Sequence, residues 1–147
     1  MVSLRPVTAD ELPAFLAVHA DRYAEDMVDN AGLTPEAARA KADRDLALVE
    51  DALKLAVDVD GRTVGRVVVG FDAFATRGLA FLYEIVLDED VRGRGLGRET
   101  LRAVEEEARA HGMARIQLNV FGGNTVARSL YRSEGYDELS VSMGKAL

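Results

Sequence analysis

The stretch that most constrains how this chain can fold is FLYEIVLDEDVRGRGLGRETL, Phe81 to Leu101. Phe81, Leu82, Tyr83, Ile85, Val86 and Leu87 are apolar at adjacent as well as alternate positions. That pattern predicts a strand buried on both faces and therefore central in a sheet. Glu84 interrupts it, and a carboxylate there needs a partner, water or a task, because burying a charge is costly. After an acidic turn comes Arg92-Gly93-Arg94-Gly95-Leu96-Gly97, then a helix predicted to start near Gly95. Glycines let the chain turn tightly and let its N–H groups approach a ligand unobstructed. The first N–H groups of a helix lack partners and carry the positive end of its dipole. Strand, loop and helix start together predict an anion site, most naturally for phosphate, with positive charge added by Arg92, Arg94 and Arg98.

Three phosphate-binding patterns compete for this loop. A P-loop ends in Gly-Lys-Ser/Thr, and no lysine is nearby. A dinucleotide-binding GxGxxG fits Gly93 and Gly95 but meets Arg98 at its third glycine, and the loop lies too late for a first βα unit. The pattern Arg/Gln-x-x-Gly-x-Gly/Ala fits at Arg92, Gly95 and Gly97. The plain alternative is a flexible turn before an ordinary helix.

The remaining chain bounds the function. Its 147 residues suit a single domain, 1–147. There is no cysteine, hence no disulfide, thiolate metal site or cysteine nucleophile, and two histidines are too few for a histidine-rich metal centre. No metal is expected. No apolar run approaches the roughly 20 residues that span a bilayer, and the N-terminus has no secretory core. A cytoplasmic protein without membrane contacts is the expectation. A net charge of −7 disfavours nucleic acid, so the local cluster of arginines points to one small anionic ligand.

Val2 to Val7 reads as a strand and Thr8 to Glu11 as a capping box opening a helix with Leu12, Phe15 and Leu16 on one side. His19, near the expected helix end, reads as a surface or capping residue. Asp21, Glu25, Asp26 and Asp29 read as a solvated face, or alternatively as an attraction for a cationic acceptor. Asn30-Ala31-Gly32 is a stop, and Thr34-Pro35 starts a second helix with Ala38, Ala42, Leu46 and Val49 inward. Leu53–Val59 and Arg62–Phe71 flank Asp60-Gly61 as a hairpin, with Gly65 and Gly70 marking a bulge or a close backbone approach. The helix ending near His111 turns Leu101, Val104 and Ala108 inward, with Arg102–Glu106 and Glu105–Arg109 spaced for ion pairs. Ala114–Val120 is a strand, Asn124 caps a helix to Ser133, and Tyr136–Met143 reads as a last strand. The order β-α-α-β-β-β-α-β-α-β predicts an α/β fold, a mixed, mostly antiparallel sheet with helices on both faces.

A second motif lies downstream: Asn124, then Leu130-Tyr131, then Gly135-Tyr136, in the spacing N-x6-Y-x3-G-Y. With the loop at Arg92 to Gly97, it resembles the signature of the GCN5-related N-acetyltransferases (GNAT), over residues 79–137. The resemblance implies acetyl-CoA as co-substrate. It implies that Ile85, Val86 and Leu87 hydrogen-bond the pantetheine arm through their backbone, as an added strand would. It implies that Arg92, Gly93, Arg94, Gly95, Leu96 and Gly97 hold the pyrophosphate and that Asn124 contacts the cofactor arm. Tyr131 would then stand near the thioester sulfur as general acid.

The chemistry asks for matching parts. An amine must lose a proton, attack the thioester carbonyl and expel a thiolate. Without an activated nucleophile, direct transfer is simpler than an acyl-enzyme, and a strand N–H can stabilise the carbonyl oxygen. Glu84 is the candidate base, its apolar neighbours expected to raise its pKa. Against that stand a buried pair with an arginine, or acceptor binding without proton transfer. For Tyr131 the alternative is core packing. The predicted activity is acetyl transfer to a primary amine of a small molecule or a protein. Its rivals are an acyl-CoA-binding module without turnover and transfer of another acyl group. A last strand at a sheet edge would also allow a homodimer.

Overall fold

A computed structural model describes the chain from Met1 to Leu147. Its regular elements are β1 (Val2–Pro6), α1 (Leu12–Ala31), α2 (Pro35–Asp45), β2 (Leu53–Val59), β3 (Arg62–Gly70), β4 (Leu79–Leu87), α3 (Leu96–Ala110), β5 (Arg115–Leu118) and α4 (Thr125–Ser133). The strands form one sheet in chain order, β1-β2-β3-β4-β5. Neighbours are antiparallel except β4 and β5, which are parallel and need the crossover that α3 supplies.

Two apolar layers hold the helices. On one face α3 sets Leu101, Val104 and Ala108 against Val57, Val67, Val69, Ala80 and Leu82, with Leu130 and Tyr131 of α4 at the margin. Full burial of Leu101 and Val104 stabilises the fold by about 1.5–3 kcal/mol each. On the other face Phe15 of α1 packs on Val49 and Val68, while Ala20 and Met27 meet Ala38 and Ala42 of α2. Small residues at that seam let the two helices lie close.

The capping box forms: Thr8 N–H donates to Glu11 Oε1 (3.0 Å) and Glu11 N–H to Thr8 Oγ1 (3.3 Å). The helix it opens runs unbroken for 20 residues to Gly32, whose φ of 69° ends it. His19 therefore sits in mid-helix rather than near a helix end. The bulge expected in β3 is present beside Gly65, where the register slips. A Cβ on Gly65 would stand 2.3 Å from the Val86 carbonyl oxygen, so β4 approaches there as closely as a glycine allows.

Two further expectations fail. The last strand, Tyr136–Met143, does not form, and residues 136–147 have no regular structure. After Gly135 (φ 91°) the chain folds back on α4: Tyr136 N–H donates to the Tyr131 carbonyl (3.0 Å) and its hydroxyl to Glu105 (2.7 Å). Arg128 and Arg132 then hold Glu138 over α4 (2.6 Å each), away from β5. Leu139, Val141 and Met143 keep the alternation of a strand but stay exposed, without a ladder to join. The edge strand on which the homodimer was argued is thus absent. The ion pairs expected along α3 are also replaced. Arg102 reaches Glu134 (2.8 Å), Arg109 takes Glu106, and Glu105 accepts from Tyr136.

Candidate active site

β4 is the axis of the site because its two neighbours leave it at different points. Pairing with β5 stops at Leu82↔Leu118, whereas pairing with β3 continues to Leu87↔Gly65. From Tyr83 onward one edge of β4 is open. Asp88 N–H donates to the Val64 carbonyl (2.7 Å), which makes Leu87 and Gly65 a pair that exchanges no bonds. By alternation Glu84 and Val86 bond back to β3, and Ile85 and Leu87 turn their main-chain groups to the open edge. Of the three strand residues expected to meet a ligand, Val86 has its main chain directed at Arg66. Leu87 already gives its carbonyl to Arg92 Nε (2.9 Å).

The open edge leads into the glycine loop. Gly93 and Gly95 have φ of 76° and 78°, a conformation that suits glycine. The backbone N–H groups of Gly93, Arg94, Gly95, Leu96, Gly97 and Arg98 find no acceptor within the chain. Converging at a helix N-terminus, they form a nest that fits a phosphate or pyrophosphate. Arg94 is exposed, without a partner, and free to add charge. Arg98 is not: its guanidinium is held by Glu134 and Ser133 at the end of α4.

At the other end of the open edge a bulge redirects Glu84. The register passes from Val68↔Glu84 to Val69↔Leu82, leaving Tyr83 as an extra residue. Strict alternation would send Glu84 to the α3 face with Leu82. The bulge instead sets both Tyr83 and Glu84 towards α1. There Glu84 Oε1 accepts from Arg66 Nη2 (2.8 Å) and Nε (3.2 Å), and Oε2 accepts from His19 Nδ1. The carboxylate is only 9% exposed. Burial pushes its pKa up, but the hydrogen bond from His19 and the charge of Arg66 outweigh that and hold it below the ordinary range. The rise expected from the apolar neighbours does not occur, because a cation and an imidazole face the group across the bulge.

His19 and Arg66 are the residues the sequence reading missed. His19 is buried, not on the surface. It lies one turn after Phe15 on the inward stripe of α1, where a polar residue implies a buried partner. Arg66, set among Val64, Val67 and Val68, is the matching anomaly to Glu84 in its own strand.

Tyr131 and Asn124 come from α4. Tyr131 packs on the α3-face core and against Tyr136, with ring centroids 5.7 Å apart. Burial raises its phenol, which makes no hydrogen bond within the chain. Asn124 Oδ1 accepts from Ala127 N–H (3.2 Å) as the helix cap. Tyr131 and Glu84 do not touch. They stand on opposite faces of the sheet, on either side of the gap between β4 and β5.

A mixed sheet splays between two parallel strands, and its open strand edge runs into a nest of free N–H groups, an arrangement whose unpaired main-chain groups suit an extended, phosphate-bearing ligand. The model of the acetyltransferase (GNAT) family matches residues 15–136. The chain belongs to that family. It is 27% identical to the uncharacterized N-acetyltransferase YycN of Bacillus subtilis over 99% of both chains. The crystal structure of YycN superposes with a TM-score of 0.90 at 26% identity, covering 100% of this chain and 99% of that one. A 62-residue segment is 36% identical to the [ribosomal protein bS18]-alanine N-acetyltransferase of Escherichia coli K12, 42% of each chain. The fold is shared with AAC(6')-Iy, solved with a bisubstrate analogue of CoA and acetylneamine (TM-score 0.65, 15% identity, 100% and 98% of the chains). No helix is long and apolar enough to cross a membrane.

Proposed function

We propose that the protein transfers an acetyl group from acetyl-CoA directly to a primary amine of a small molecule or a protein. The observation that carries the reading is the run of unpaired N–H groups from Gly93 to Arg98 at the foot of an unpaired strand edge. Pyrophosphate suits the first, and a chain of amides suits the second. The pantetheine arm would bond Ile85 and Leu87 and lie beside Asn124, with the thioester in the gap next to Tyr131. That phenol would protonate the departing thiolate. Its burial beside no other acceptor keeps the proton available for that step.

The amine would approach from the α1 side, where Glu84 is held by His19 and Arg66. A cationic amine fits the charge there. Burial raises the carboxyl of Asp26, two turns along α1 from His19; Arg22 opposes the rise, and the charges of Glu84, Asp29 and Glu25 add to it. Carboxylates that repel one another on one side of a cleft favour a cation between them. Names of relatives supply both acceptor classes, a ribosomal protein's alanine for the E. coli enzyme and an aminoglycoside derivative for AAC(6')-Iy.

Isothermal titration with acetyl-CoA, dephospho-CoA and NAD, followed by thiol release on an amine panel, tests the reading. Selective binding of acetyl-CoA with thiol release is the expected result. Selective binding with no release on any amine identifies a non-catalytic acyl-CoA-binding module. Thiol release only with another acyl-CoA assigns a different donor.

A further inference from the structure

Within that reading, we infer that His19 is the catalytic base, taking the proton of the acceptor amine at Nε2, while Glu84 and Arg66 are positioning residues that fix its ring.

The argument runs from hydrogen-bond capacity. An ionised carboxylate only accepts, so His19 Nδ1 must donate to Glu84 Oε2. In the neutral ring that leaves Nε2 with its lone pair free, and Nε2 has no partner within the chain. It also keeps contact with solvent, since no fully buried side-chain polar atom lacks a partner. Glu84 is poorly suited to the task itself. Arg66 occupies one of its oxygens, His19 the other, and both favour the charged form. A carboxylate held ionised by a cation is a weak base. An imidazole oriented by a carboxylate, with its second nitrogen open, is a good one.

The ring meets Glu84 of β4; that carboxylate in turn faces Arg66 of β3 and feels the charge of Asp26 of α1, which itself lies beside Arg22.

The step balances simply. One ammonium proton passes to His19 Nε2 and on to solvent. The free amine forms a C–N bond to the thioester carbonyl carbon, and the C–S bond breaks. The thiolate takes the phenolic proton of Tyr131, and the proton that nitrogen loses on collapse restores the phenol. Ammonium and thioester become amide, thiol and one released proton.

His19→Asn keeps an N–H donor near the position of Nδ1 and removes Nε2. Its acetyl-CoA affinity should match wild type, which shows that the site is folded. Its kcat should fall by about 100-fold. The acid limb of the wild-type kcat/KM profile should vanish in the variant, and added imidazole should restore turnover to His19→Ala. A His19→Asn variant with wild-type turnover and pH profile would overturn the inference and leave the acetyltransferase reading intact. Nitrogen NMR of the two ring systems gives an activity-independent readout, since His111 is the only other histidine. A neutral His19 ring protonated at Nδ1 supports the assignment, and one protonated at Nε2 sinks it. A wild-type protein that releases no thiol with any amine removes the parent reading, and the inference with it.

Discussion

Arg66 Nη2 lies 2.8 Å from Glu84 Oε1, diagonally across the β3–β4 ladder, because Glu84 is directly opposite Val68. The contact exists only because the bulge at Tyr83 brings both side chains to one face. It decides the electrostatic state of the site: Glu84 is a carboxylate with two donors, not a lone acid in an apolar strand.

Acid should therefore weaken the fold through Glu84. Its folded pKa lies below the ordinary 4.5. The stabilisation is fully present above the unfolded value and disappears as pH falls through the folded one. Glu134 and Glu138, lowered by Arg102 and Arg128, act in the same direction, so the comparison must be with Glu84→Gln. Urea unfolding at a series of pH values should show a shallower loss of stability below about pH 4.5 in that variant than in wild type. Equal slopes would mean that Glu84 is not ionised in the fold. Arg66→Leu, which leaves a buried carboxylate short of its cation, should cost about 3 kcal/mol, the lower end for a broken buried pair since Arg66 is partly exposed.

Gly65→Ala tests how tightly β3 and β4 are fitted. The added methyl would stand 2.3 Å from the Val86 carbonyl oxygen and 2.8 Å from Leu87 Cδ2. The oxygen belongs to backbone and cannot swing away, so β4 must shift. A loss of roughly 1–3 kcal/mol is expected, with weaker acetyl-CoA binding, because Ile85 and Leu87 move with the strand. Gly97→Ala is the control. Its Cβ would meet Leu130 at an ordinary 3.6 Å, and unfolding curves should place it near wild type.

Much of this framework was readable in the sequence. The apolar run through Phe81 to Leu87, the glycine loop and the Thr8–Glu11 box are local signals, and each marks its element in the structure. The pairing of His19 with Glu84 was not readable, since 65 residues separate them and only the packing of α1 on the sheet joins them. Arg98 read as a charge for the phosphate and Arg102 as a partner of Glu106 for the same reason: the group that takes both, Glu134, arrives from another helix. At Tyr136 to Met143 the alternation was genuine, but a strand also needs a neighbour. The hold of Arg128 and Arg132 on Glu138 takes the segment elsewhere.

Gly95→Asp addresses the anion nest. At φ 78° any side chain is strained, though aspartate tolerates this region better than most. Nothing lies within 4 Å of a Cβ there, so packing is undisturbed. The new carboxylate would face the free N–H groups and repel phosphate. Titration should show acetyl-CoA affinity reduced by at least about tenfold, the equivalent of 1.4 kcal/mol, with a small change in melting temperature. Unchanged affinity would remove the loop from the cofactor site.

Tyr131→Phe separates chemistry from packing at the remaining reactive group. The phenol ring lies against the core and Tyr136, and phenylalanine preserves that surface. The hydroxyl makes no hydrogen bond within the chain, so its removal breaks none, and stability should change by less than about 0.5 kcal/mol. If the phenol protonates the thiolate, kcat should drop by about 100-fold while acetyl-CoA affinity holds. The loss should shrink with a donor whose thiol leaves more readily, because such a leaving group depends less on the acid. Turnover equal to wild type would return Tyr131 to a packing role. A variant that loses affinity and stability together would point to the same conclusion, since an acid acting only in the reaction is invisible to both.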